Sequence, residues 1–217
     1  LTVGTTYLTR VTTGVKDASG NAMSSQYDNS NGFTTVPFQP QTQAELQTAV
    51  DLWVSDNSAA LSSYGEINTW DVSLITSMDE LFEGKTTFND DISDWDVSNV
   101  ENMREMFRSA SSFNKDLSGW NVSSVTDMWA MFYYATNFNQ DLSGWDVGSV
   151  TDMSYMFENT NFNQDLTNWD VSNVTGMQSM FYIATNFNGD LSGWDVSNVE
   201  NMRAMFYGTS FNQDLSS

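Results

Sequence analysis

Tryptophan recurs at a nearly fixed interval through the last two-thirds of the chain, and this period constrains the fold more than any other feature. The spacings between successive tryptophans are 25, 25, 25, 24 and 25 residues. These tryptophans are Trp70, Trp95, Trp120, Trp145, Trp169 and Trp194. A period of this length is typical of arrays in which each repeat is one small unit that stacks on its neighbours. The sequence therefore predicts a solenoid of about six coils.

The apolar residues of one repeat predict its local structure. In the repeat that contains Trp145 they are Leu142, Trp145, Val147, Val150, Met153, Met156, Phe157 and Phe162. The Leu-x-x-Trp-x-Val spacing fits the leucine-rich-repeat template, in which Trp-Asp-Val would be a short parallel strand. The Val-x-x-Met-x-x-Met-Phe run has a period of three to four residues, which indicates a short helical return. The predicted fold is therefore an α/β solenoid, a leucine-rich-repeat-like array of 24-residue and 25-residue coils.

Two segments precede the repeats. Residues 1–37 are polar and rich in Thr, Ser, Asn and Gly, a composition that predicts either short strands or a linker. Residues 38–66 predict a helical N-terminal cap, because Thr42 begins a capping box and Gly65 is suited to end a helix. We expect a helix from Thr42 to Tyr64 that covers the open end of the array, where core side chains would otherwise meet solvent.

The repeats occupy residues 67–217, and no amphipathic helix follows the last of them. An uncapped coil exposes apolar edges and unpaired backbone groups. The sequence therefore predicts either that the array is longer or that another subunit covers this end. If that subunit is a second copy stacked end to end, the contact does not close and a filament results.

The charge balance and the missing residue types exclude several functions. The chain has 28 acidic and seven basic residues and a formal net charge of -21. This charge excludes nucleic acid as a partner and disfavours anionic membrane surfaces, because both require basic patches. No apolar run reaches the roughly 20 residues of a membrane span, so we expect no membrane insertion. The absence of cysteine and histidine removes disulfides, thiolate metal sites and the commonest general base.

The acidic residues do not predict an enzyme. Paired carboxylates such as Asp141 and Asp146 can hydrolyse glycosidic bonds in a suitable site. Here the pair recurs in almost every repeat, whereas catalysis needs one environment that separates two pKa values. The sequence also contains no nucleophile elbow, phosphate loop or zinc motif. We therefore expect no catalytic residues.

Two polar ladders remain after the apolar positions are removed. The first lies in the variable slot of the predicted strand and consists of Asp71, Asp96, Asn121, Asp146, Asp170 and Asp195. Neighbouring carboxylates in such a row repel, so each must either accept hydrogen bonds from nearby serines and amides or receive a basic partner or calcium. We expect this row to be the binding face.

The second ladder follows the last phenylalanine of each repeat. Its asparagines are Asn89, Asn114, Asn139, Asn163, Asn188 and Asn212, and its aspartates are Asp91, Asp116, Asp141, Asp165, Asp190 and Asp214. Stacked Asn and Asp side chains stabilise turns, so this ladder predicts a structural role. Their oxygens also suit calcium, but the spacing matches neither an EF-hand nor a calcium-binding nonapeptide. No cofactor is predicted, and calcium remains an alternative.

The repeats differ from one another mainly at scattered aromatic residues. These aromatic residues, which are possible partner contacts, are Trp129, Tyr133, Tyr134, Tyr155, Tyr182 and Tyr207. Exposed aromatic rings can anchor a protein partner or stack on a sugar, although a packing role is an equal alternative. Asn121 and Asn173 begin acceptor sequences for N-glycosylation, which have meaning only in a protein secreted by a eukaryote.

The repeated motifs resemble a known family. Trp-Asp-Val-Ser-x-Val-x-x-Met-x-x-Met-Phe and Phe-Asn-x-Asp-Leu-Ser recur from about Ile67 to Ser217. Together they closely resemble the BspA-type leucine-rich-repeat surface proteins. The departures are small: Ile75 and Leu81 replace Val and Met, and Asn121 replaces an Asp. The resemblance implies a secreted or cell-surface, non-catalytic protein of the adhesion or protein-binding type.

These observations lead to one functional hypothesis and one alternative. We expect an extracellular or cell-surface module that binds a protein or glycan through the acidic strand face and has no chemistry of its own. The alternative is a structural building block that stacks end to end on copies of itself or serves as a spacer, with calcium as a possible stabiliser.

Overall fold

The structure is a computed structural model that describes residues 6–11, 27–34 and 37–215. The chain divides into two compact units, Leu1–Phe38 and Gln39–Ser217. The second unit contains all the repeats and the segment that precedes them. It therefore contains every candidate site residue that the sequence identifies.

The described residues of the first unit include one pair of antiparallel strands. Strand β1 (Thr6–Val11) pairs with strand β2 (Tyr27–Thr34), and the register shifts between Tyr7 and Thr9. The remainder of the segment that the sequence predicts as strands or linker lies outside the described residues, namely 1–5, 12–26 and 35–36.

Two helices, rather than the single predicted helix, open the second unit. Helix α1 (Gln43–Ser55) begins at Thr42, whose hydroxyl accepts a hydrogen bond from the amide of Glu45 at 3.2 Å. Helix α2 (Asn57–Tyr64) begins at Asp56, whose side chain accepts from the amide of Ala59 at 3.0 Å. Aspartate is a strong N-cap residue, so the chain starts a new helix there.

The α/β solenoid that the sequence predicts is wrong. Within residues 67–215 the structure has a single 3₁₀ turn, Ile67–Thr69, and neither a strand nor an α-helix recurs in the repeats. Neighbouring repeats meet through one isolated parallel bridge each, beginning with Ser77 and Asn102. The strand and the helical return of a leucine-rich repeat are therefore both missing from this part of the chain. We number the repeats coil 1 to coil 6, each beginning at one of the six periodic tryptophans.

Backbone hydrogen bonds join successive coils in a seven-residue stretch that we call the ladder segment. The six ladder segments are residues 78–84, 103–109, 128–134, 153–159, 177–183 and 202–208. In the first five, the amides of the first, third, fifth and seventh residues donate to carbonyls of the next coil at 2.7 to 3.0 Å. The coils therefore pair through the segment for which the sequence predicts a helix.

Left-handed residues explain why the ladder segment is neither a strand nor a helix. Its third and seventh residues all have positive φ, including Tyr155 at 64° and Ile183 at 54°. Within the first ladder segment the amides of Leu81 and Glu83 donate to the carbonyls three residues earlier, at 3.2 and 2.9 Å, so the backbone forms linked turns. The same turns point the first, fourth and fifth residues inward, which produces the helix-like spacing of the apolar residues. A left-handed non-glycine residue costs about 1–3 kcal/mol, and the hydrogen bonds between coils hold it in place.

Repeated aromatic contacts fill the core. The five tryptophan indoles from Trp95 to Trp194 donate to backbone carbonyls 27 or 28 residues earlier, at 2.8 to 3.2 Å. The phenylalanine that ends each Met-x-x-Met-Phe motif stacks on its counterpart in the next coil, with ring centroids 5.2 to 5.8 Å apart. Each coil thus completes the core and the hydrogen bonds of its neighbour, as in other repeat proteins.

Helix α1 covers the first coil. Its apolar side buries Leu46, Val50 and Trp53. Its Gln43 and Gln47 side chains donate to the carbonyls of residues 79 and 81, at 2.9 and 3.1 Å. The equivalent carbonyls in coil 2 accept ladder amides from coil 1, so the two glutamines take the place of a preceding coil's amides.

Candidate functional site

The residues predicted to line a strand face lie in turns, because the repeats have no strand. Each of the six uses its side-chain oxygen to accept from the amide two residues later, at 3.0 to 3.2 Å. We call the five acidic members the turn aspartates, namely Asp71, Asp96, Asp146, Asp170 and Asp195. This geometry is an Asx turn, in which the side chain replaces a backbone acceptor. The row therefore has a structural use in every coil.

Hydrogen bonds to these carboxylates favour their charged form. The hydroxyl of Ser73, together with its amide, holds the pKa of Asp71 below its usual value. Ser172 and Ser197 lower the pKa of Asp170 and Asp195 in the same way. The neighbouring Asp170 carboxylate opposes this effect at Asp195. The lowered pKa values indicate acceptors used by the fold, without the raised pKa expected of a catalytic acid.

The second ladder forms direct hydrogen bonds between coils. The side-chain oxygen of each asparagine from Asn89 to Asn188 accepts from the amide of the next asparagine, at 2.7 to 3.0 Å. Several of the accompanying aspartates accept from the amide two residues on, and these hydrogen bonds lower the pKa of Asp91 and Asp141. These contacts are those of a structural turn ladder.

The described residues contain neither an acidic metal-binding cluster nor a membrane-spanning helix. Across 6–11, 27–34 and 37–215, no three acidic side chains converge as a metal-binding cluster requires. In the same ranges, no helix combines the length and the apolar character that crossing a bilayer demands.

The positions that vary between coils face outward on the ladder segments. The inward first, fourth and fifth residues are almost invariant, whereas the second, third, sixth and seventh differ from coil to coil. At these positions the structure brings together four of the predicted aromatic contacts. The Trp129 ring lies 5.5 Å from that of Tyr155, and the Tyr133 ring lies 4.6 Å from that of Tyr134 and 6.4 Å from that of Tyr155.

Two arginines from coil 2 join this aromatic cluster. The Arg104 guanidinium lies 3.9 Å from the centre of the Trp129 ring, and that of Arg108 lies 5.8 Å from the centre of the Tyr133 ring. Glu105, only 6% exposed, holds both arginines, with nitrogen–oxygen distances of 3.2 and 2.8 Å. Pairing with this buried carboxylate orients each guanidinium, although the arginine side chains themselves are 41% exposed.

These side chains surround a cleft of about 240 Å³ that we call the aromatic cleft. It is lined by Glu105, Arg108, Trp129, Ala130, Tyr133 and Tyr155. Glu158 lies beside it, is 8% exposed and accepts a hydrogen bond from the Tyr133 hydroxyl. Burial raises the pKa of Glu158, and burial followed by the Glu158 carboxylate raises the pKa of Tyr133. The cleft thus combines aromatic surfaces with fixed donors and acceptors.

The other predicted site residues lie outside this cleft. Tyr182 and Tyr207 stack on each other with ring centroids 5.0 Å apart, and Tyr207 is 63% exposed. Asn121 and Asn173 are both exposed, and the Asn173 amide nitrogen donates to the carbonyl of Gly148 at 2.7 Å.

The sequence did not identify Arg104, Glu105, Arg108 or Glu158 as site residues. Charged residues on a repeat are usually solvated, so individually they carry no signal. A comparison of the same outward position across coils indicates their proximity to the aromatic residues, because the sixth position of the ladder segment carries Arg108 and Tyr133 in consecutive coils.

Comparison with known proteins identifies a family but no named relative. No curated protein and no solved structure matches the chain. The sequence profile of one family matches residues 52–161 and, in a second overlapping match, residues 140–217. The two matches together cover all six coils and more than half of the chain. The chain therefore belongs to the repeat family described as Mycoplasma protein of unknown function, DUF285.

Proposed function

We propose that this chain is a non-catalytic, adhesion-type binding module of an extracellular or cell-surface protein, and that the aromatic cleft is its contact site. One observation carries the proposal: aromatic and paired charged side chains converge at outward positions of coils 2 to 4, where the repeats otherwise have no common residue. The cleft replaces the acidic row as the proposed binding face.

The fold does not need these side chains for its repeated contacts. The ladder hydrogen bonds use backbone atoms, and the core uses the inward methionines and phenylalanines. Trp129, Tyr133 and Tyr155 remain half-buried, so each offers ring surface to a partner. Tyrosine, tryptophan and arginine are the residues that most often dominate the energy of binding surfaces.

The carboxylates of the cleft support binding better than catalysis. Each oxygen of Glu105 is within ion-pair distance of an arginine, so this carboxylate is not free to act as a nucleophile. Glu158 is buried and bonded to Tyr133, and Glu83 is paired with Arg108 at 2.7 Å, so neither is the unpaired, ionised and exposed carboxylate that a glycosidase pair requires.

The resemblance to BspA-type surface proteins supports an extracellular or cell-surface location and an adhesive role. It rests on the Trp-Asp-Val-Ser and Phe-Asn-x-Asp-Leu motifs. In this structure those motifs provide Asx turns and the asparagine ladder, so they account for the framework of the repeat. The ligand must therefore be recognised by residues outside the motifs.

Self-assembly into a filament is less well supported. End-to-end stacking would bring the ladder amides of coil 6, which have no acceptor among residues 37–215, to the carbonyls of coil 1 in another copy. Gln43 and Gln47 already donate to two of those carbonyls, and α1 buries the apolar surface around them. Helix α1 would have to be displaced from coil 1 before a second copy could stack there.

The test is a binding screen against immobilised extracellular matrix proteins and glycans by biolayer interferometry. We expect binding that Trp129→Ala and Tyr133→Ala each weaken at least tenfold. Leu74→Ala is the matched control, because Leu74 is also an apolar side chain at the surface, 50% exposed, but lies in a turn of coil 1 that the Ile75 amide closes on the Val72 carbonyl. The proposed site would be refuted if the control lost as much affinity as the cleft variants, or if both cleft variants bound as tightly as the parent chain.

A further inference from the structure

We infer that the aromatic cleft binds a neutral pyranose unit of a glycan. This inference rests on the proposed function and narrows its ligand to one chemical class. It is argued from three properties of the cleft: the arrangement of its rings, its hydrogen-bonding groups and its local charge.

The rings form walls at steep angles to one another. The plane of Trp129 meets that of Tyr155 at 67°, and the plane of Tyr133 meets that of Tyr155 at 74°. A pyranose has an apolar C–H face and a rim of hydroxyls, so one ring can pack against its face while another meets its edge. The volume of about 240 Å³ is below the roughly 300 Å³ at which small-molecule pockets begin, which favours one sugar ring over a longer group.

Hydrogen-bond donors lie beside these walls. The Nη1 atom of Arg108 bonds to Glu83 and Glu105 at 2.7 and 2.8 Å, which leaves its Nη2 and Nε groups as oriented donors. The Tyr155 hydroxyl accepts from the side chain of Gln178, which fixes the ring and leaves the hydroxyl proton available. Sugar hydroxyl oxygens accept hydrogen bonds, so they match these donors.

The charged side chains around the cleft are already paired with one another, which favours a ligand that carries no charge. Two guanidiniums, Arg104 and Arg108, face three carboxylates, Glu83, Glu105 and Glu158. An anion would meet arginines that are already paired and a protein whose formal net charge is -21. A cation would meet two guanidiniums that border the aromatic surfaces. A neutral polyhydroxylated ring avoids both penalties, because it needs no charge partner.

A peptide side chain is the main competitor, since an aliphatic group could also enter between the rings. An aliphatic group offers no acceptor to the half-exposed Arg108 donors, whereas a sugar hydroxyl does. The sugar is therefore favoured, and peptide binding becomes an outcome of the test.

The experiment uses the full chain and saturation-transfer NMR, followed by calorimetric titration. The neutral probes are lactose, maltose, cellobiose and N,N′-diacetylchitobiose. The competing probes are a sulfated heparin disaccharide and an acetylated, amidated Ala-Leu-Ala tripeptide. We expect at least one neutral disaccharide to receive saturation and to bind at least tenfold more tightly than either competitor.

Two cleft variants and one matched control locate the site. Tyr133→Ala and Trp129→Ala should each weaken sugar binding at least tenfold, with thermal melting used to verify that each variant is folded. Tyr207→Ala removes a more exposed tyrosine from the same position of the ladder segment three coils away, and it should leave binding unchanged. If one cleft variant does not fold, the other still decides the result.

The outcomes separate this inference from the proposed function. Failure of all four neutral sugars, tighter binding of the sulfated probe or the peptide, or an equal loss in Tyr207→Ala would overturn the sugar assignment. If the cleft variants still reduce binding to an immobilised protein, the proposed function stands and only the ligand class is wrong. If they reduce no binding of any kind, both proposals fail.

Discussion

Thr160→Val tests how the array accommodates a missing residue. Coil 4 has one residue fewer than its neighbours between its two core phenylalanines, Phe157 and Phe162. In coil 2 the backbone of Ala110 donates to one such phenylalanine and accepts from the other, at 3.0 Å in both cases. In coil 4 the Thr160 hydroxyl makes both contacts, donating to the Phe157 carbonyl at 2.8 Å and accepting from the Phe162 amide at 3.3 Å.

The expected cost follows from the burial of this hydroxyl. Thr160 is 4% exposed, and neither backbone group has another hydrogen-bond partner within the described residues. Valine keeps the shape but removes both bonds, each worth about 0.5–1.5 kcal/mol, and leaves a buried donor and acceptor unpaired. We therefore expect a loss of about 2–3 kcal/mol in the free energy of unfolding.

Urea denaturation followed by tryptophan fluorescence measures this loss. With an m-value of about 2 kcal/mol/M, the midpoint should fall by about 1–1.5 M. Thr209→Val is the control, because Thr209 makes the same two contacts at 2.8 and 3.3 Å in coil 6 but is only half-buried, so that water can replace them. A Thr160→Val midpoint within 0.2 M of the parent, or an equal shift in both variants, would refute the reasoning.

Three further predictions concern the repeated framework. Gly193→Ala would place its methyl group 2.4 Å from a backbone carbonyl oxygen and should lower the free energy of unfolding by about 1–3 kcal/mol in the same urea assay. Gly119→Ala is the control, because its methyl group would meet no atom within 4 Å, and it should be neutral or slightly stabilising. Replacing both Gln43 and Gln47 by Ala should cost about 1–2 kcal/mol and speed amide exchange first in coil 1, while unchanged exchange there would contradict their capping role. The pKa values of Asp71, Asp170 and Asp195 are lowered in the folded state, so their contribution to stability is complete above the unfolded pKa near 3.8 and is lost as the pH falls through the lower folded values. Thermal melting at 0.5 M NaCl between pH 6 and pH 2.5 should therefore show a falling melting temperature below about pH 4. A melting temperature that stays constant or rises below pH 4 would contradict this prediction.

The repeat and its inward side chains are predictable from the sequence, because they depend on which residues recur. The apolar positions of the repeat that contains Trp145 are all buried, from Leu142 to Phe162. The secondary structure is not predictable in the same way. Left-handed positions are usually recognised by glycine, but here ten of them carry other residues, including the β-branched Ile183, which by itself favours extended backbone.

The candidate site is predictable only in part. Trp129 and Tyr133 attract attention because they break the repetition. Their arginine partners do not, because Arg104 and Arg108 lie a whole coil earlier and become neighbours of these rings only through the stacking of coils 2 and 3. The sequence pattern also favours the acidic row as a binding face, whereas the structure uses those carboxylates to close turns.

In the proposed division of roles, invariant positions build the stack and outward variable positions bind the ligand. Amide chemical-shift mapping of the isotope-labelled chain during titration with the best-binding neutral disaccharide tests it most directly. We expect the perturbed amides to lie within residues 103–109, 128–134 and 153–159. Shifts centred on the turn aspartates or on the asparagine ladder, or shifts spread evenly over all six coils, would contradict it.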